Sequence, residues 1–375
     1  MYYPKLSIIT VVYNGASTLE RTIQSVLGQD YRNIEYIIID GASTDGTVKI
    51  IEKYADKISY WVSEKDNGIY DAMNKGIRYA TGDIIAFLNS DDWYLSNCLA
   101  YVAKQFEINP ADVCFFGVTR EDRDGKRADR YPQIRIAENK YEQLAVFHPA
   151  TFVKKSVFSE IGDFNTEYHI AADYDWLVRM KKQGYAIIYD HYITTYYSDG
   201  GISNVNWFEA QEEAEQIELK YAKSKEEREY IHLLYAQNWA NKKYLELIRS
   251  ENISYFASKE LDIYRGKNIY IFGAGNAGIE CCRLFYQNGI KIKGFLDNSQ
   301  LKQEKLFQGY LVLAPEIIGK EYDYIIISSV QYADEIENQL LQLNVRGDKI
   351  VVFANIKNKI LARLKEERLT RYYEM

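Results

Sequence analysis

Short apolar runs alternate with amphipathic stretches along the first part of the chain. The runs are rich in Ile and Val and predict buried strands at residues 6–13, 34–39, 58–62 and 84–88. Between the first two runs, Ser17 with Glu20 predicts a capping box at the start of a helix. Strands that alternate with helices are typical of a parallel sheet covered on both faces, so the pattern predicts an α/β fold.

The pattern changes after residue 205. The next residues are rich in Glu, Lys, Ala and Leu and predict two long helices, the second with a capping box at Ser224 and Glu227. Short apolar runs then predict further strands at residues 268–272, 290–296, 324–329 and 349–353. We expect four segments: an α/β domain at 1–205, a helical connector at 206–260, a second α/β domain at 261–355 and a tail at 356–375.

Composition narrows the choice of function. The chain has 375 residues, of which 47% are hydrophobic, and a net charge of −7. It therefore has enough apolar material for two or three domains and lacks the basic surface that general nucleic-acid binding needs. Its four cysteines have no metal-like spacing, and the adjacent Cys281 and Cys282 predict core thiols on a helix, which indicates a reducing compartment. The sequence has no charged leader and no long apolar run, so we expect neither a signal peptide nor a spanning helix, and a cytoplasmic location.

Polar residues directly follow three of the predicted strands. These are Asn14, Asp40 and Asp91, and the carboxyl ends of parallel strands meet at one edge of a sheet, where ligands bind. Asp91 and its neighbour Asp92 have two open interpretations: a turn that caps the next helix, or a carboxylate pair that holds a divalent cation against a ligand. Such an edge suits a nucleotide, with a carboxylate for the base or ribose and a metal for the diphosphate.

Three motifs occur in order within the first 94 residues: LSIITVVYNG, IDGASTDGT and DAMNKGIRYATGDIIAFLNSDDWY. Together they resemble the N-terminal half of the inverting family-2 glycosyltransferases, which have the GT-A nucleotide-diphospho-sugar transferase fold. The resemblance implies a nucleotide-diphospho-sugar donor, an acceptor hydroxyl and Mg²⁺ or Mn²⁺. Many relatives have a second aspartate at the position of Gly41, which commonly contacts a uracil ring, so this chain gives less support for a uridine donor.

The resemblance implies roles for individual residues by position. Asp92 is the main metal ligand, and Asp91 binds the metal or the ribose. The implied donor-binding residues are Thr10, Val11, Tyr13, Asn14, Asp40, Gly41, Asn74 and Asp91. The catalytic base falls at Asp173, where a carboxylate takes the proton of the acceptor hydroxyl on the face opposite the departing diphosphate. For the nearby Asp175, its place at a helix start predicts only a favourable interaction with the helix dipole.

Other candidates near the acceptor keep two interpretations each. His148 either contacts the acceptor or is a hydrogen-bonded structural residue. His191 follows a strand predicted at 186–189 and either reaches the metal or has no part in the site. Gly200 and Gly201 belong to a segment at 199–203 that is either a lid over the donor or a plain loop.

The second α/β domain contains a glycine motif at a strand-to-helix junction. Gly273, Gly275 and Gly278 form a GxGxxG sequence, and Asp297 lies 19 positions after the last glycine, the spacing expected for an acidic residue on a ribose. The context predicts a Rossmann-like domain with a second nucleotide site of NAD type, although no room remains for a dehydrogenase substrate domain. It resembles small Rossmann-like domains of polysaccharide-biosynthesis enzymes, for which a structural or oligomerising role is an equal alternative.

The tail combines basic residues with an apolar helical face at Ile356, Ile360, Leu361 and Leu364. Such a helix lies on anionic lipid at the inner face of the membrane, as a peripheral contact, or packs on the preceding domain. The sequence as a whole predicts a hexosyltransferase-type enzyme of surface-polysaccharide or O-antigen biosynthesis, with a saccharide or lipid-linked saccharide acceptor. A homo-oligomer through the connector stays open. The alternatives are a redox protein centred on the glycine motif and a non-catalytic nucleotide-sugar-binding scaffold.

Overall fold

The computed structural model describes residues 3–121, 125–136, 142–198, 200–318 and 321–373. The chain divides into two compact units, Met1–Arg228 and Glu229–Met375. Each unit contains a sheet with helices between its strands, so the predicted α/β class is confirmed.

The first unit alternates strands and helices from its start. Its strands are β1 (Leu6–Val12), β2 (Ile34–Asp40), β3 (Tyr60–Ser63), β4 (Ile84–Phe87), β5 (Trp93–Tyr94), β6 (Val113–Glu121), β7 (Arg127–Arg130), β8 (Gln133–Ile136), β9 (Glu142–Ala145), β10 (Thr151–Lys154) and β11 (Ile187–Ser198). Its helices are α1 (Leu19–Leu27), α2 (Thr47–Lys53), α3 (Ile69–Tyr79), α4 (Cys98–Ile108), α5 (Lys155–Ile161), α6 (Ala172–Lys181), α7 (Ile202–Val205), α8 (Trp207–Tyr221) and the start of α9 (Lys225–Arg249). A 3₁₀ turn at His148–Ala150 directly precedes β10.

Nine strands of the described part of this unit form one sheet. Their order is β3-β2-β1-β4-β10-β6-β11-β5, with β7 paired to β6. Strands β1 to β4 are parallel, whereas β10 runs antiparallel to both β4 and β6, so the sheet is mixed. Val12 lies opposite Asp40, and Ile9 lies opposite Phe87. This register brings the residues that follow β1, β2 and β4 to one edge.

Both faces of this sheet are covered. Successive strand residues point to opposite faces, so Ile8 belongs to a core that includes residues of α1 and α4, and Ile9 to a core that includes residues of α3 and α6. Helices on both sides explain why β1 is mostly apolar and buried along its whole length.

The first predicted capping box is wrong and the second is confirmed. Helix α1 begins at Leu19 after Thr18, with no side-chain cap. The carboxylate of Glu20 instead pairs with the ammonium of Lys53 at 2.5 Å, because an opposite charge on α2 competes for it. At α9, the Oγ of Ser224 accepts the backbone N–H of Glu227 at 3.1 Å, as a capping box requires.

The second unit contains the rest of α9 and a smaller sheet. Its strands are β12 (Ile269–Phe272), β13 (Gly294–Leu296), β14 (Leu306–Phe307), β15 (Tyr310–Leu313), β16 (Tyr324–Ile327) and β17 (Ile350–Val352). Its further helices are α10 (Ser254–Leu261), α11 (Asn276–Gln287), α12 (Ala333–Gln342) and α13 (Phe353–Tyr373). In the residues described, the strand order is β14-β15-β13-β12-β16-β17, parallel throughout except for the β14–β15 hairpin. The loop after β12 therefore lies where the strand order reverses.

The apolar face of the tail lies inside the second unit. Ile356, Ile360, Leu361 and Leu364 of α13 are at most 8% exposed and belong to the core of this unit. The face is thus covered by protein, as the packing alternative predicts.

The predicted core thiols Cys281 and Cys282 lie buried on α11, and Cys98 and Cys114 are also buried free thiols. Across the part of the chain that the structure describes, no helix is both long and apolar enough to span a membrane.

Candidate functional site

A cavity of about 850 Å³ opens in the first unit at the carboxyl ends of β1 and β4. Nine of the residues singled out in the sequence line it: Val11, Tyr13, Asn14, Asp91, Asp92, His148, Asp173, Gly200 and Gly201. The fold thus brings together positions that are more than 150 residues apart in the chain. Asp199, the first residue of the predicted lid, lies outside the described residues.

The carboxylate pair Asp91 and Asp92 lies in a turn between β4 and β5. The Oγ1 of Thr22, on α1, lies 2.9 Å from the carbonyl oxygen of Ser90 and 2.7 Å from that of Asp92, which fixes this turn. The interpretation that the pair caps the next helix is wrong, because β5 intervenes and α4 begins only at Cys98.

The two carboxylates are poorly compensated. Asp92 is 1% exposed, and burial, followed by the negative charge of Asp91, raises its pKa well above the usual value. The Oδ1 of Asp92 accepts one backbone hydrogen bond, from Ser198 at 3.0 Å. Burial also raises the pKa of Asp91, against the opposing charge of Arg21. The protein alone therefore disfavours two negative charges at this point.

The pair fits a divalent cation that is shared with a ligand. Next to it on the cavity wall, the Oδ1 of Asn89 is buried without a hydrogen-bond partner among the described residues. Oxygen atoms of carboxylates and amides are the ligands that Mg²⁺ and Mn²⁺ prefer. The described residues contain no cluster of three or more His, Cys, Asp and Glu side chains that would hold a metal by itself. A cation here would depend on oxygens of a diphosphate, as magnesium in nucleotide sites does.

Asp173 lies on another part of the cavity wall, in the first turn of α6. Its Oδ1 accepts hydrogen bonds from the hydroxyl of Tyr70 at 2.8 Å and from the backbone N–H of Tyr174 at 2.9 Å. Asp175, also in this turn, is 1% exposed and pairs with Arg179 at 2.8 Å, so it is a structural residue.

His148 stacks on Phe87, with ring centroids 5.3 Å apart, and its Nε2 is buried without a partner in the described residues. Burial lowers the pKa of His148, and the charge of Asp173 opposes this only in part. A neutral imidazole with one unsatisfied nitrogen therefore lies on the same wall as the Asp173 carboxylate.

Known proteins resemble this chain over most of its first unit. A family model described as glycosyl transferase family 2 matches residues 7–162. An uncharacterized glycosyltransferase of Mycobacterium tuberculosis is 34% identical over 180 residues, which are 47% of this chain and 68% of the relative. The chain belongs to glycosyl transferase family 2.

Two further comparisons place this glycosyltransferase among its relatives. The PGL/p-HBAD biosynthesis glycosyltransferase of Mycobacterium bovis is 30% identical over 211 residues, 54% of this chain and 81% of the relative. The solved mannosyltransferase PcManGT from Pyrobaculum calidifontis, in complex with GDP-Man and Mn²⁺, superposes with a TM-score of 0.50 at 20% identity. The match covers 63% of this chain and 72% of that protein. At this identity it shows the fold alone, which confirms the predicted GT-A-like fold.

Three residues implied by the resemblance are turned away from the cavity of this glycosyltransferase. The Thr10 hydroxyl is buried against the Tyr36 hydroxyl at 3.1 Å. The Asp40 carboxylate is fully buried and accepts hydrogen bonds from Ser43 and Ser63. The Asn74 carboxamide bridges the backbone N–H and carbonyl of Phe164 at 3.0 and 2.9 Å. Asp40 and Asn74 brace loops near the cavity, Thr10 joins β1 to β2, and none of the three lines the cavity.

Gly41 and His191 also lie outside the lining of the cavity. A Cβ atom at Gly41 would lie 2.6 Å from the Oδ2 of Asp66, so Asp66 occupies the space of the second aspartate found in many relatives. His191 is exposed near the middle of β11, with its ring 5.0 Å from that of Tyr131, and does not line the cavity. The predicted strand ended before this residue, whereas β11 continues to Ser198.

Several residues on the cavity wall of this glycosyltransferase were not predicted from the sequence. They are Asp66, Tyr70, Asn89, Arg120, Tyr197 and Ser198. Asp66 follows β3, a position that could have been found because β3 ends at the same edge as β1 and β2. Tyr197 and Ser198 carry no local signal, since the pairing of β11 with β6 brings them in from far along the chain.

A second cavity, of about 570 Å³, lies in the second unit, and Gly273, Gly275, Gly278 and Asp297 line it. A Cβ atom at Gly278 would lie 2.1 Å from the carbonyl oxygen of Gly273, so this tight turn needs glycine. A second family model, described as C2185-like, N-terminal, matches residues 265–351.

The Asp297 carboxylate in this second cavity is satisfied by protein groups. It accepts hydrogen bonds from the backbone of Ala274 at 2.8 Å and of Ser299 at 2.9 Å, and pairs with Lys302 at 2.9 Å. Burial alone would raise its pKa, but these contacts outweigh burial and lower it. The carboxylate fastens the glycine loop to the following segment.

Proposed function

We propose that this protein is an inverting, hexosyltransferase-type glycosyltransferase that moves a sugar from a nucleotide-diphospho-sugar to a hydroxyl of a saccharide or lipid-linked saccharide. The observation that carries the proposal is the single cavity that Asp91, Asp92 and Asp173 line together. Membership of glycosyl transferase family 2 supports it independently.

The donor diphosphate binds next to the turn after β4 in this proposal. Asp91 and Asp92 hold Mg²⁺ or Mn²⁺, with the Asn89 amide oxygen beside them, and Val11, Tyr13 and Asn14 contact the nucleoside. A bound cation would neutralise charge on the diphosphate leaving group. The related fold of PcManGT, solved with GDP-Man and Mn²⁺, supports this cofactor class.

The nucleotide base binds towards Asp66 in the same proposal. Asp66 follows β3, which is three strand positions from β4 in the sheet, or about 14 Å. Its Oδ1 accepts the backbone N–H of Gly68 at 3.0 Å, and its Oδ2 lies beside Gly41. A carboxylate accepts hydrogen bonds only. It can accept from the ring N–H of uracil, thymine or guanine, or from the exocyclic amino group of cytosine or adenine, so Asp66 is proposed to bind a donor group of the base without selecting one base.

Asp173 is the general base. Inverting transfer is a single displacement, in which the acceptor oxygen attacks the anomeric carbon while the diphosphate departs with the electron pair. Asp173 takes the proton of the attacking hydroxyl, a contribution of about 10²–10⁴-fold to the rate. The unsatisfied Nε2 of the neutral His148 is placed to bind an acceptor hydroxyl. We further propose that Gly200 and Gly201 belong to a lid that excludes water from this reaction.

The acceptor is proposed to belong to surface-polysaccharide or O-antigen biosynthesis in the cytoplasm. One relative is named for PGL/p-HBAD biosynthesis, which supports a biosynthetic role.

The test of the proposed function is donor turnover. Release of UDP, GDP or dTDP from UDP-, GDP- and dTDP-sugars is measured with Mn²⁺ and with EDTA. We expect metal-dependent release from at least one donor, and its loss in Asp92→Asn and in Asp173→Asn. Full activity in either purified variant would contradict the site assignment.

A second candidate function is nucleotide binding by a Rossmann-like second unit at Gly273, Gly275, Gly278 and Asp297. The cavity of about 570 Å³ at the point of strand-order reversal favours it. The pairing of Asp297 with Lys302 weighs against an NAD ribose on this carboxylate. Titration of NADH and of UDP into the full-length Asp92→Asn variant is the test, and saturable binding there would support a second site.

A further inference from the structure

The Tyr70 hydroxyl lies between two hydrogen-bond acceptors at the cavity. Its oxygen is 2.7 Å from the backbone carbonyl oxygen of Ile170 and 2.8 Å from the Oδ1 of Asp173. A tyrosine hydroxyl has one proton, and a carbonyl oxygen has none to give. Tyr70 therefore has a choice between two partners, and the charge on Asp173 decides that choice.

We propose that Tyr70 is the positioning residue for the Asp173 carboxylate, and that its proton changes partner when Asp173 becomes protonated. The inference rests on the proposed role of Asp173 as the base. Before transfer, the ionised carboxylate is the stronger acceptor, because a charge-assisted hydrogen bond is about twice as strong as a neutral one. Tyr70 then donates to Oδ1 and fixes the rotation of the carboxylate.

The hydrogen bonds on Asp173 leave one oxygen for the acceptor. Tyr70 and the backbone N–H of Tyr174 both donate to Oδ1. Oδ2 is thus the oxygen that faces the sugar acceptor, and it takes the proton as the acceptor O–H bond breaks and the new glycosidic bond forms. Once Oδ2 is protonated, Oδ1 becomes a weak, neutral acceptor. The Tyr70 proton then turns to the Ile170 carbonyl, so that no buried hydroxyl is left unpaired in either state.

The surroundings keep this geometry fixed. The Glu213 carboxylate accepts the backbone N–H groups of His169, Ile170 and Ala171, each at 2.8 Å, and so holds the Ile170 carbonyl in place. The Tyr70 ring packs on Phe164 with centroids 5.6 Å apart. Burial, followed by the charge of Asp173, raises the pKa of Tyr70 well above its usual value, so the hydroxyl stays a donor.

The experiment compares the pH profile of donor hydrolysis in wild type and Tyr70→Phe, with nucleoside diphosphate release from the most active UDP-, GDP- or dTDP-sugar as the readout. The variant keeps the ring and loses only the hydroxyl. We expect kcat to fall about 10- to 100-fold, the loss of one hydrogen bond to a charged group, with KM for the donor unchanged. The acidic limb of the kcat/KM profile should move up by about one pH unit, because the carboxylate loses a bond that favours its ionised form.

Tyr31→Phe is the matched control. The Tyr31 hydroxyl is also buried and donates to a backbone carbonyl, that of Pro4 at 2.6 Å, but it does not line the cavity. The pH profile of Tyr31→Phe should match that of wild type. An unchanged acidic limb in folded Tyr70→Phe would overturn the proposal.

Two more variants show which assignment is wrong if the expected result is not obtained. Activity in Asp173→Asn would show that the base itself is wrongly assigned, whereas an inactive Asp173→Asn with a wild-type profile in Tyr70→Phe would overturn the Tyr70 role alone. If Tyr70→Phe does not fold, 3-fluorotyrosine incorporated at position 70 keeps the hydroxyl and makes it a stronger donor. The acidic limb should then move to lower pH, and a shift to higher pH or none would contradict the proposal.

Discussion

The two units each have a cavity at the carboxyl ends of parallel strands, yet the carboxylates that line them have pKa values shifted in opposite directions. In the first unit, burial and the neighbouring Asp91 raise the pKa of Asp92 well above its usual value. In the second unit, contacts from Ser299, Lys302 and Ala274 outweigh burial and lower the pKa of Asp297. The charge of Arg21 compensates the first carboxylate only in part, whereas the second pairs directly with Lys302. The comparison indicates a ligand site in the first cavity and a structural brace in the second.

The energetic reason is general. A buried carboxylate without a partner costs several kcal/mol, and a like charge beside it adds to that cost. Such a pair is unfavourable for stability unless a cation binds to it. The Asp297–Lys302 pair, by contrast, stabilises the loop in the absence of any ligand.

The largest expected effect concerns turnover. Asp173→Asn should lower donor turnover about 10²–10⁴-fold, because the amide cannot take the acceptor proton. Asp297→Asn, measured in the same nucleoside diphosphate release assay, should keep the wild-type rate. Equal losses of turnover in Asp173→Asn and Asp297→Asn would mean that the first cavity is not the only one needed for the reaction.

Glu35 is a carboxylate of the first unit that receives hydrogen bonds from protein groups. It tests whether such bonds, rather than the unit in which a carboxylate lies, decide the direction of its pKa shift. Glu35 on β2 is buried, and Lys5, Ser7 and Thr81 donate hydrogen bonds to it. Burial would raise its pKa, but these bonds lower it to about 2. A lowered pKa gives stability that is present above the unfolded value and is lost as pH falls from about 4.5 towards 2. Glu35→Gln should lose about 2–3 kcal/mol at pH 7.

The check on Glu35 is urea unfolding of wild type and Glu35→Gln between pH 7 and pH 3. The difference in the free energy of unfolding should shrink as the pH falls. A constant difference across this range would mean that the Glu35 charge makes no contribution.

Stability changes of opposite sign should separate the two cavities. In metal-free protein at pH 7, Asp92→Asn relieves the burial and the repulsion from Asp91 that Arg21 offsets only in part, and it keeps the acceptor for Ser198, so the free energy of unfolding should rise by about 1–2 kcal/mol. Asp297→Asn weakens three contacts, so the free energy of unfolding of this variant should fall by about 1–3 kcal/mol. Thermal unfolding monitored by scanning calorimetry measures both changes. Destabilisation of both variants would mean that the two carboxylates do not differ in this way.

The smallest expected effect concerns binding of the nucleotide base. Asp66→Asn replaces a charged acceptor by a neutral amide, so the Kd of the nucleoside diphosphate that binds most tightly to wild type should rise about tenfold. Asp71→Asn changes a nearby carboxylate that does not line the cavity and should leave this Kd unchanged. A wild-type Kd in Asp66→Asn would mean that the base binds elsewhere.

Much of the fold and part of the site were predictable because they depend on local pattern. Asn14 and Asp91 come just after apolar runs, and a parallel sheet brings such positions to one edge. Thr10 does not line the cavity because it lies inside β1, where alternation turns its side chain into the core. His191 does not line it because β11 continues past this residue, which cannot be read from an apolar run.

The contacts that long-range pairing creates could not be predicted. Tyr70 meets Asp173 across 103 positions, and Asp66 fills the space beside Gly41 only because β2 and β3 are neighbours. In the second unit, the spacing of Asp297 from the glycine motif suggested a ribose ligand. The sequence does not reveal that Lys302, five residues later, occupies this carboxylate.

Calorimetric titration of UDP, GDP and dTDP, each with Mn²⁺, into wild type, Asp92→Asn and Asp297→Asn tests whether the carboxylate pair of the first cavity holds the diphosphate. At least one of these nucleotides should bind wild type and Asp297→Asn with the same Kd, and Asp92→Asn at least about tenfold more weakly, since each tenfold is 1.4 kcal/mol. Unchanged binding in Asp92→Asn, or binding lost only in Asp297→Asn, would mean that the diphosphate does not bind at this pair.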